Sequence, residues 1–319
     1  AGEVMLDSCV SREGSDDQPR VDDYSGFCLT AQPCPTVRAV DTLTARSVSE
    51  VRPGVFVYDM GQNMAGVPEI HFAGLRAGTE VTLRFAEVTY PDLPRYGSNK
   101  GMVMLENIRA AMAQDMYIAA GGAAEVFCPA FTYHGYRYVE IMGLDRPLPL
   151  DAVRGIVLSS VHSFSSDYVT SDSLVNRLWQ NIGWSMRANF FSVPTDCPQR
   201  NERMGWAGDI SVFSPTATYM GCVPQFLAGY ARAMRDVQRA DGKFLDIAPV
   251  GGGFGGILWG SAGITVPWHS YLQFADSTLL ADNYAAMRRY VGFLLENTLD
   301  SVTGIIVQQR AWGDLADWL

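Results

Sequence analysis

Residues 195–209 read TDCPQRNERMGWAGD, and this stretch decides how the rest of the chain is interpreted. Its chemistry-bearing residues are three carboxylates, two arginines and a tryptophan, namely Asp196, Glu202, Asp209, Arg200, Arg203 and Trp206. Pro198, Gly205 and Gly208 interrupt it, which predicts mostly loop rather than helix. Helical patterns lie on both sides, and a charged loop held between helices is a common place for chemistry. On composition alone, a buried ion-pair network without function is equally compatible.

The order of these residues carries a family resemblance. DCPQRNERMGWAGD at 196–209 resembles the signature of bacterial α-L-rhamnosidases, which are inverting glycoside hydrolases with an (α/α)6 barrel. The likeness extends to YDMGQNMAG at 58–66, FTYHGYRYVE at 131–140 and DWL at 317–319. This chain departs from the usual family form at Asn201 and Ser261, where relatives have Asp, so a change of glycan preference is left open.

Charge and hydropathy narrow the classes of partner. The formal net charge of −10 argues against nucleic acid or an anionic membrane surface as partner, and it is compatible with neutral sugars without selecting them. No apolar run approaches the roughly 18 residues of a membrane-spanning helix, so no membrane partner is expected. The first residues carry no signal-peptide pattern. The sequence leaves open the oligomeric state and whether a soluble parent protein is periplasmic or secreted.

The cysteines and histidines give no pattern of a metal or redox site. Six cysteines are scattered without CxxC spacing, and a disulfide between Cys28 and Cys34 is unsupported, so mostly free thiols are expected. The four histidines are isolated, which favours structural roles. No metal or organic cofactor is therefore expected.

The hydrophobic periodicity changes along the chain. Residues 1–32 are interpreted as a loop or the remnant of a preceding domain. Short strands with glycine turns over 33–161 predict an antiparallel β-sandwich. Residues 162–319 are helical, which the resemblance identifies as the N-terminal half of an (α/α)6 catalytic barrel. The fold class is thus a β-sandwich followed by the first half of an (α/α)6 barrel.

About five helices are predicted after residue 162. Ser171 and Asp172 form a helix N-cap, which precedes an apolar stripe of Leu174, Leu178, Ile182 and Met186 that is interpreted as core. Further helices are expected near 266–273 and 279–297. A toroid of twelve helices needs about twice this number, so we interpret the chain as a fragment whose apolar helix faces further helices would cover.

Three other motifs have a structural and a functional interpretation. The motif at 58–66 is either a sugar contact or a loop with local hydrogen bonds, and the second is favoured. The alternating aromatics of 131–138 are either a stacking surface or a strand that buries one face, and again the second is favoured. The glycine-rich GGGFGG at 251–256 lacks phosphate-binding spacing and is interpreted as a mobile loop.

The resemblance assigns roles to individual residues. Glu202 matches the general acid, and the general base has no match in this chain. Neighbouring carboxylates favour the protonated acid and neighbouring arginines oppose it, so the sequence leaves that balance open. The residues predicted to bind substrate are Asp196, Arg200, Trp206, Asp209, Trp259, Asp317 and Trp318. The tryptophans are placed in glycine-flanked loops, where flat rings suit the apolar face of a 6-deoxy sugar.

These assignments predict hydrolysis of terminal α-L-rhamnosides with inversion by the parent protein, whose substrate would be a rhamnose-containing glycan or glycoside. Two alternatives remain. One is an (α/α)6 glycosidase of another sugar specificity, because fold does not fix substrate. The other is a non-catalytic carbohydrate-binding protein that kept the pocket without the base.

Overall fold

The structure is a computed structural model, and it describes residues 32, 34–109, 111–253 and 256–307 together with the backbone of four short strands before them. Those four strands form two separate antiparallel pairs, β1 with β4 and β2 with β3. Their bounds are β1 Val4–Met5, β2 Ser8–Ser11, β3 Arg20–Asp23 and β4 Cys28–Leu29.

The next eight strands form one curled antiparallel sheet. They are β5 Arg38–Thr44, β6 Ser47–Arg52, β7 Val55–Ala73, β8 Glu80–Ala86, β9 Gln114–Ile118, β10 Ala124–Phe127, β11 His134–Met142 and β12 Val153–Ser159. Their order is β5-β12-β7-β11-β8-β9, with β6 and β10 also paired to β7. One core cluster contains residues from both ends of β7, Phe56 and Phe72 among them, so the sheet curls around it. The predicted antiparallel β domain is thus confirmed, with its strands joined in one sheet.

Strand β7 includes the motif at 58–66, which was predicted to be a loop. The motif at 58–66 belongs to a single strand that pairs with β11 on both sides of an irregularity, since Asp59 faces Tyr138 and Met64 faces Tyr136. Four residues of β7 therefore lie opposite one residue of β11, which is a large bulge. Gly61 in this bulge has a φ of 78°, and a Cβ there would lie 2.3 Å from the side chain of Arg46.

The polar groups of this motif bond within the β domain. The carboxylate of Asp59 accepts hydrogen bonds from Gly61 N at 2.7 Å and from the Arg137 guanidinium at 2.7 and 2.8 Å. The amide of Asn63 donates to Glu87 at 2.8 Å. These contacts agree with the structural interpretation of the motif.

The second half of the chain is helical. A two-stranded hairpin separates the first helix from the signature loop, and no further strand follows among the described residues. The bounds are α1 Ser173–Asn189, β13 Phe190–Phe191, β14 Val193–Pro194, α2 Ala207–Met220, α3 Pro224–Asp236, α4 Ile257–Phe274 and α5 Ser277–Asn297. The N-cap prediction is confirmed, because Asp172 Oδ1 accepts from the amides of Leu174 and Val175 at 2.8 and 3.4 Å.

The first helix corrects the expected core stripe. Met186 is buried, but Leu174 and Leu178 are 79% and 58% exposed. Large apolar side chains are also exposed on the later helices, including Trp268 on α4 and Tyr284 on α5. Cover by further helices stays a prediction for these faces. Among the described residues, no helix is long and apolar enough to cross a membrane.

Candidate active site

The signature loop begins after β14 and ends at α2. Two hydrogen bonds between Asp196 and Met204 join the two ends of the loop. The backbone N–H of Asp196 donates to the carbonyl of Met204 at 3.1 Å, and Asp196 Oδ1 accepts from Met204 N at 3.0 Å. The prediction of loop is confirmed up to Trp206 and wrong for Gly208 and Asp209, which lie in the first turn of α2. This position favours the negative charge of Asp209, because the N-terminus of a helix stabilises a nearby anion.

Arg200 draws two carboxylates of this loop together. Its Nε is 3.0 Å from Glu202 Oε2, and its Nη2 is 3.7 Å from Asp196 Oδ2. The side chain of Arg200 is 15% exposed, so this cation is largely removed from water. The geometry therefore brings together three residues predicted to serve the site.

The β domain supplies a second cation that sequence reasoning missed. Arg109 Nη1 is 3.0 Å from Glu202 Oε2, the same oxygen that Arg200 contacts. The guanidinium of Arg203 lies 4.9 Å from the ring centre of Tyr133, which also belongs to the β domain. A Cβ on Gly135 would lie 2.7 Å from Pro198, so the loop packs closely against the start of β11. No spacing in the sequence could signal contacts between segments this far apart.

Burial controls the protonation of the groups around Arg200. It raises the pKa of Asp196, against hydrogen bonds from Cys197 and from Met204 N–H that lower it. Asp209 is exposed, yet desolvation by the protein around its carboxyl raises its pKa, and the charges of Asp196 and Glu202 act in the same direction. Both carboxyls are thus easier to protonate than an aspartate in water.

Cys197 adds a potential ligand to this cluster, because ligand atoms of Asp196, Cys197 and Glu202 lie within 4.8 Å of one another. Burial and the hydrogen bond to Asp196 raise the pKa of the Cys197 thiol to about 12. A metal would need the thiolate, and the two guanidinium groups already neutralise Glu202. We therefore assign no metal to this cluster.

A cleft of about 280 Å³ opens beside the loop. Asp196 and Asp209 lie on its polar side, and Phe190, Ile210 and Phe213 are among its apolar walls. Of the described residues, neither Glu202 nor Trp206 belongs to its lining. An apolar cleft with carboxylates at one side suits a sugar that has both hydroxyls and a methyl group.

The predicted tryptophans have different environments. Trp206 precedes α2, is half-buried against the helical core and forms a backbone bridge with Ile247. Trp259 was predicted to lie in a loop, but it lies in the first turn of α4, where it is 4% exposed. This burial indicates a packing role, and substrate binding by Trp259 stays a prediction. Asp317 and Trp318 lie outside the described residues.

Ser261, one of the two departures from the family pattern, is engaged within its own helix. Its Oγ donates to the carbonyl of Ile257 at 2.7 Å. Asn201, the other departure, is exposed on the signature loop.

Comparison with known proteins places the chain in a family. The model of the bacterial alpha-L-rhamnosidase concanavalin-like domain matches residues 49–159, and that of the bacterial alpha-L-rhamnosidase 6 hairpin glycosidase domain matches residues 164–319. The chain belongs to the bacterial α-L-rhamnosidase family. The curated alpha-L-rhamnosidase of Streptomyces avermitilis is 40% identical over 293 residues, which cover 91% of this chain and 27% of the relative.

Solved α-L-rhamnosidase structures share the fold. The Streptomyces avermitilis alpha-L-rhamnosidase complexed with L-rhamnose aligns with a TM-score of 0.81 at 39% identity, over 88% of this chain and 27% of that one. The alpha-L-rhamnosidase from Dictyoglumus thermophilum aligns with a TM-score of 0.82 at 32% identity, over 88% of this chain and 31% of that one. The chain therefore spans less than a third of these rhamnosidases.

Proposed function

We propose that the protein containing this chain hydrolyses terminal α-L-rhamnosides with inversion, with Glu202 as general acid and a general base outside these residues. The observation that carries the proposal is the position of Glu202 in the family signature, where Arg200 links it to Asp196 beside a cleft. The relative solved with L-rhamnose supports the choice of sugar.

Inversion requires two carboxyl groups on opposite sides of the sugar, about 6.5–9.5 Å apart, with a water between the base and the anomeric carbon. Glu202 would give its proton to the leaving oxygen as the glycosidic bond breaks. The second group would take a proton from the attacking water. Glu296, near the end of α5, is exposed and has no support from any motif as this base.

The remaining residues of the loop would hold the sugar. Asp196 Oδ2 is buried and has no hydrogen-bond partner among the described residues, so it can accept from a hydroxyl. Asp209 faces the same cleft, and Arg200 fixes the carboxylates around it. The apolar walls would take the sugar's methyl group, and stacking by Trp206, which lies outside the lining of the cleft, stays a prediction from the family motif. Asp317 and Trp318 stay predictions from the family motif.

The stereochemistry of the product tests this proposal. The full-length protein is incubated with an aryl α-L-rhamnoside, and proton NMR follows the anomer that appears first. β-L-Rhamnose appearing before mutarotation is the expected result. α-L-Rhamnose as first product would contradict inversion, and release of a different sugar from a glycoside panel would favour the other (α/α)6 glycosidases.

One observation favours the non-catalytic alternative. Oε2 of Glu202 contacts two guanidinium groups, an arrangement that suits a carboxylate accepting sugar hydroxyls. A binding protein would retain rhamnose binding by calorimetry without any release of product. Turnover of any α-L-rhamnoside excludes it.

A further inference from the structure

Arg109 has a backbone conformation that is unfavourable for a residue with a side chain and that glycine would adopt without strain. It follows a 3₁₀ turn at Glu106–Ile108 and has φ 56° and ψ −128°. A residue with a Cβ is strained there, and strain of this kind persists where the surrounding structure or a function requires it. Its half-exposed side chain leaves the β domain and reaches Glu202, 93 positions along the chain.

The residue after Glu202 is also held by the β domain. Arg203 has a φ of 53°, and its Nη1 donates to the carbonyl of Tyr133 at 2.9 Å. The ring of Tyr133 stacks on Phe191 with centres 4.0 Å apart. The β domain thus contacts this part of the loop twice. Tyr133 fixes the backbone beside Glu202, and Arg109 holds the carboxylate of Glu202.

We infer that Arg109 is a positioning residue for the reaction, which sets the orientation of the Glu202 carboxyl and stabilises the carboxylate that remains after proton transfer. The inference rests on the proposed function. Arg200 belongs to the same loop as Glu202 and is shared with Asp196, so it moves with the loop. Arg109 holds the carboxyl from outside the loop and ties it to the docked β domain.

The charge of Arg109 acts on the proton transfer itself. When Glu202 gives its proton to the leaving oxygen, the carboxyl becomes a carboxylate, and a guanidinium 3.0 Å away stabilises that product. Solvent then returns the proton to Glu202. Loss of the cation removes this stabilisation, so the transfer to a poor leaving group should slow.

Three variants of the full-length protein test this inference. Arg109→Gly removes the side chain and relieves the backbone strain, and Arg109→Lys keeps the charge without the planar guanidinium group. Arg154→Gln is the control, because it removes another partly exposed arginine of the β domain, whose Nη1 is 3.4 Å from Glu69. For each, kcat/KM is measured with a 4-nitrophenyl and with a methyl α-L-rhamnoside, after thermal melts establish folding.

Arg109→Gly is expected to lower kcat/KM about tenfold or more for the methyl glycoside and much less for the 4-nitrophenyl glycoside, which needs little acid assistance. Arg109→Lys should recover part of the loss for the methyl glycoside because it keeps the charge, and Arg154→Gln should match the unmodified protein.

Two results would overturn the inference. One is an Arg109→Gly protein that folds and matches Arg154→Gln in the leaving-group ratio. If Arg109→Gly does not fold, an Arg109→Gln protein, which lacks the charge, with the leaving-group ratio of the unmodified protein would likewise overturn it. By contrast, an unmodified protein that hydrolyses neither glycoside would overturn the proposed function itself, and this role with it.

Discussion

Gly208 lies directly beneath the indole of Trp259. A Cβ built on Gly208 would be 2.7 Å from Cε2 and Nε1 of that ring, closer than packed atoms can approach. The contact joins α2 to α4 one residue before Asp209. It gives the buried Trp259 a structural reason for its place next to the site.

Replacing Gly208 with Ala should therefore destabilise the protein. The added methyl must displace a buried indole, which costs about 1–3 kcal/mol of unfolding free energy. Gly292→Ala is the matched control, because Gly292 also lies within a helix and a Cβ there meets nothing within 4 Å. That change should raise stability by about 0.5–1 kcal/mol. Urea unfolding of both variants checks the prediction, and equal effects would contradict the packing described.

The Cys197 thiol should resist alkylation in the folded protein. Its pKa of about 12 keeps it protonated, and the side chain is buried. Iodoacetamide attacks the thiolate, so at about pH 8 it should label the exposed Cys222 and spare Cys197. Peptide mass mapping with and without denaturant measures this. Labelling of both cysteines at one rate in the native state would count against the buried cluster.

The paired Asp59 and Arg137 should make stability depend on pH. The hydrogen bonds from Arg137 lower the pKa of Asp59. The pair therefore stabilises the fold above the unfolded pKa of about 3.9, and this contribution is lost as pH falls through the lower folded pKa. Asp59→Asn should cost about 1–2 kcal/mol at neutral pH.

In acid the cost of Asp59→Asn should shrink, because protonation of Asp59 then removes the ion pair from the unmodified protein as well. Asp92→Asn serves as control, since Asp92 pairs with Lys100 at 2.6 Å but is 78% exposed, and such pairs contribute little. A loss that is the same at neutral and at acid pH would refute the linkage.

Residues 1–319 produced alone should bind rhamnose weakly at best and should not turn over an aryl α-L-rhamnoside. The reason is chemical, because no described residue stands across from Glu202 as a supported general base. Exposed side chains such as Leu174, Trp268 and Tyr284 should also promote self-association, which light scattering detects. Turnover by this segment well above background would show that a base lies within it.

Local signals predicted the parts of the fold that local physics controls. The N-cap at Asp172 and the apolar period placed α1, and the last helix, expected at 279–297, runs from 277 to 297. Tertiary contacts decided the rest. The sequence pattern predicted a helix break at Gly208. In the structure Gly208 lies within α2, and the ring of Trp259 leaves no room there for a larger residue.

The site shows the same division. The signature grouped Asp196, Arg200 and Glu202 because they lie within seven residues of one loop. It could not indicate Arg109, because the fold of another domain creates that contact. The loop placement of Trp259 was wrong, since a flanking glycine indicates close packing as readily as a loop.

The most direct test of the central claim is the activity of Glu202→Gln in the full-length protein. Glutamine keeps the size of the side chain but has no proton to give. If Glu202 is the general acid, kcat/KM for methyl α-L-rhamnoside should fall by roughly a hundredfold or more, with a smaller loss for the 4-nitrophenyl glycoside. A variant that folds and cleaves both glycosides within a few-fold of the unmodified rate would contradict Glu202 as the general acid.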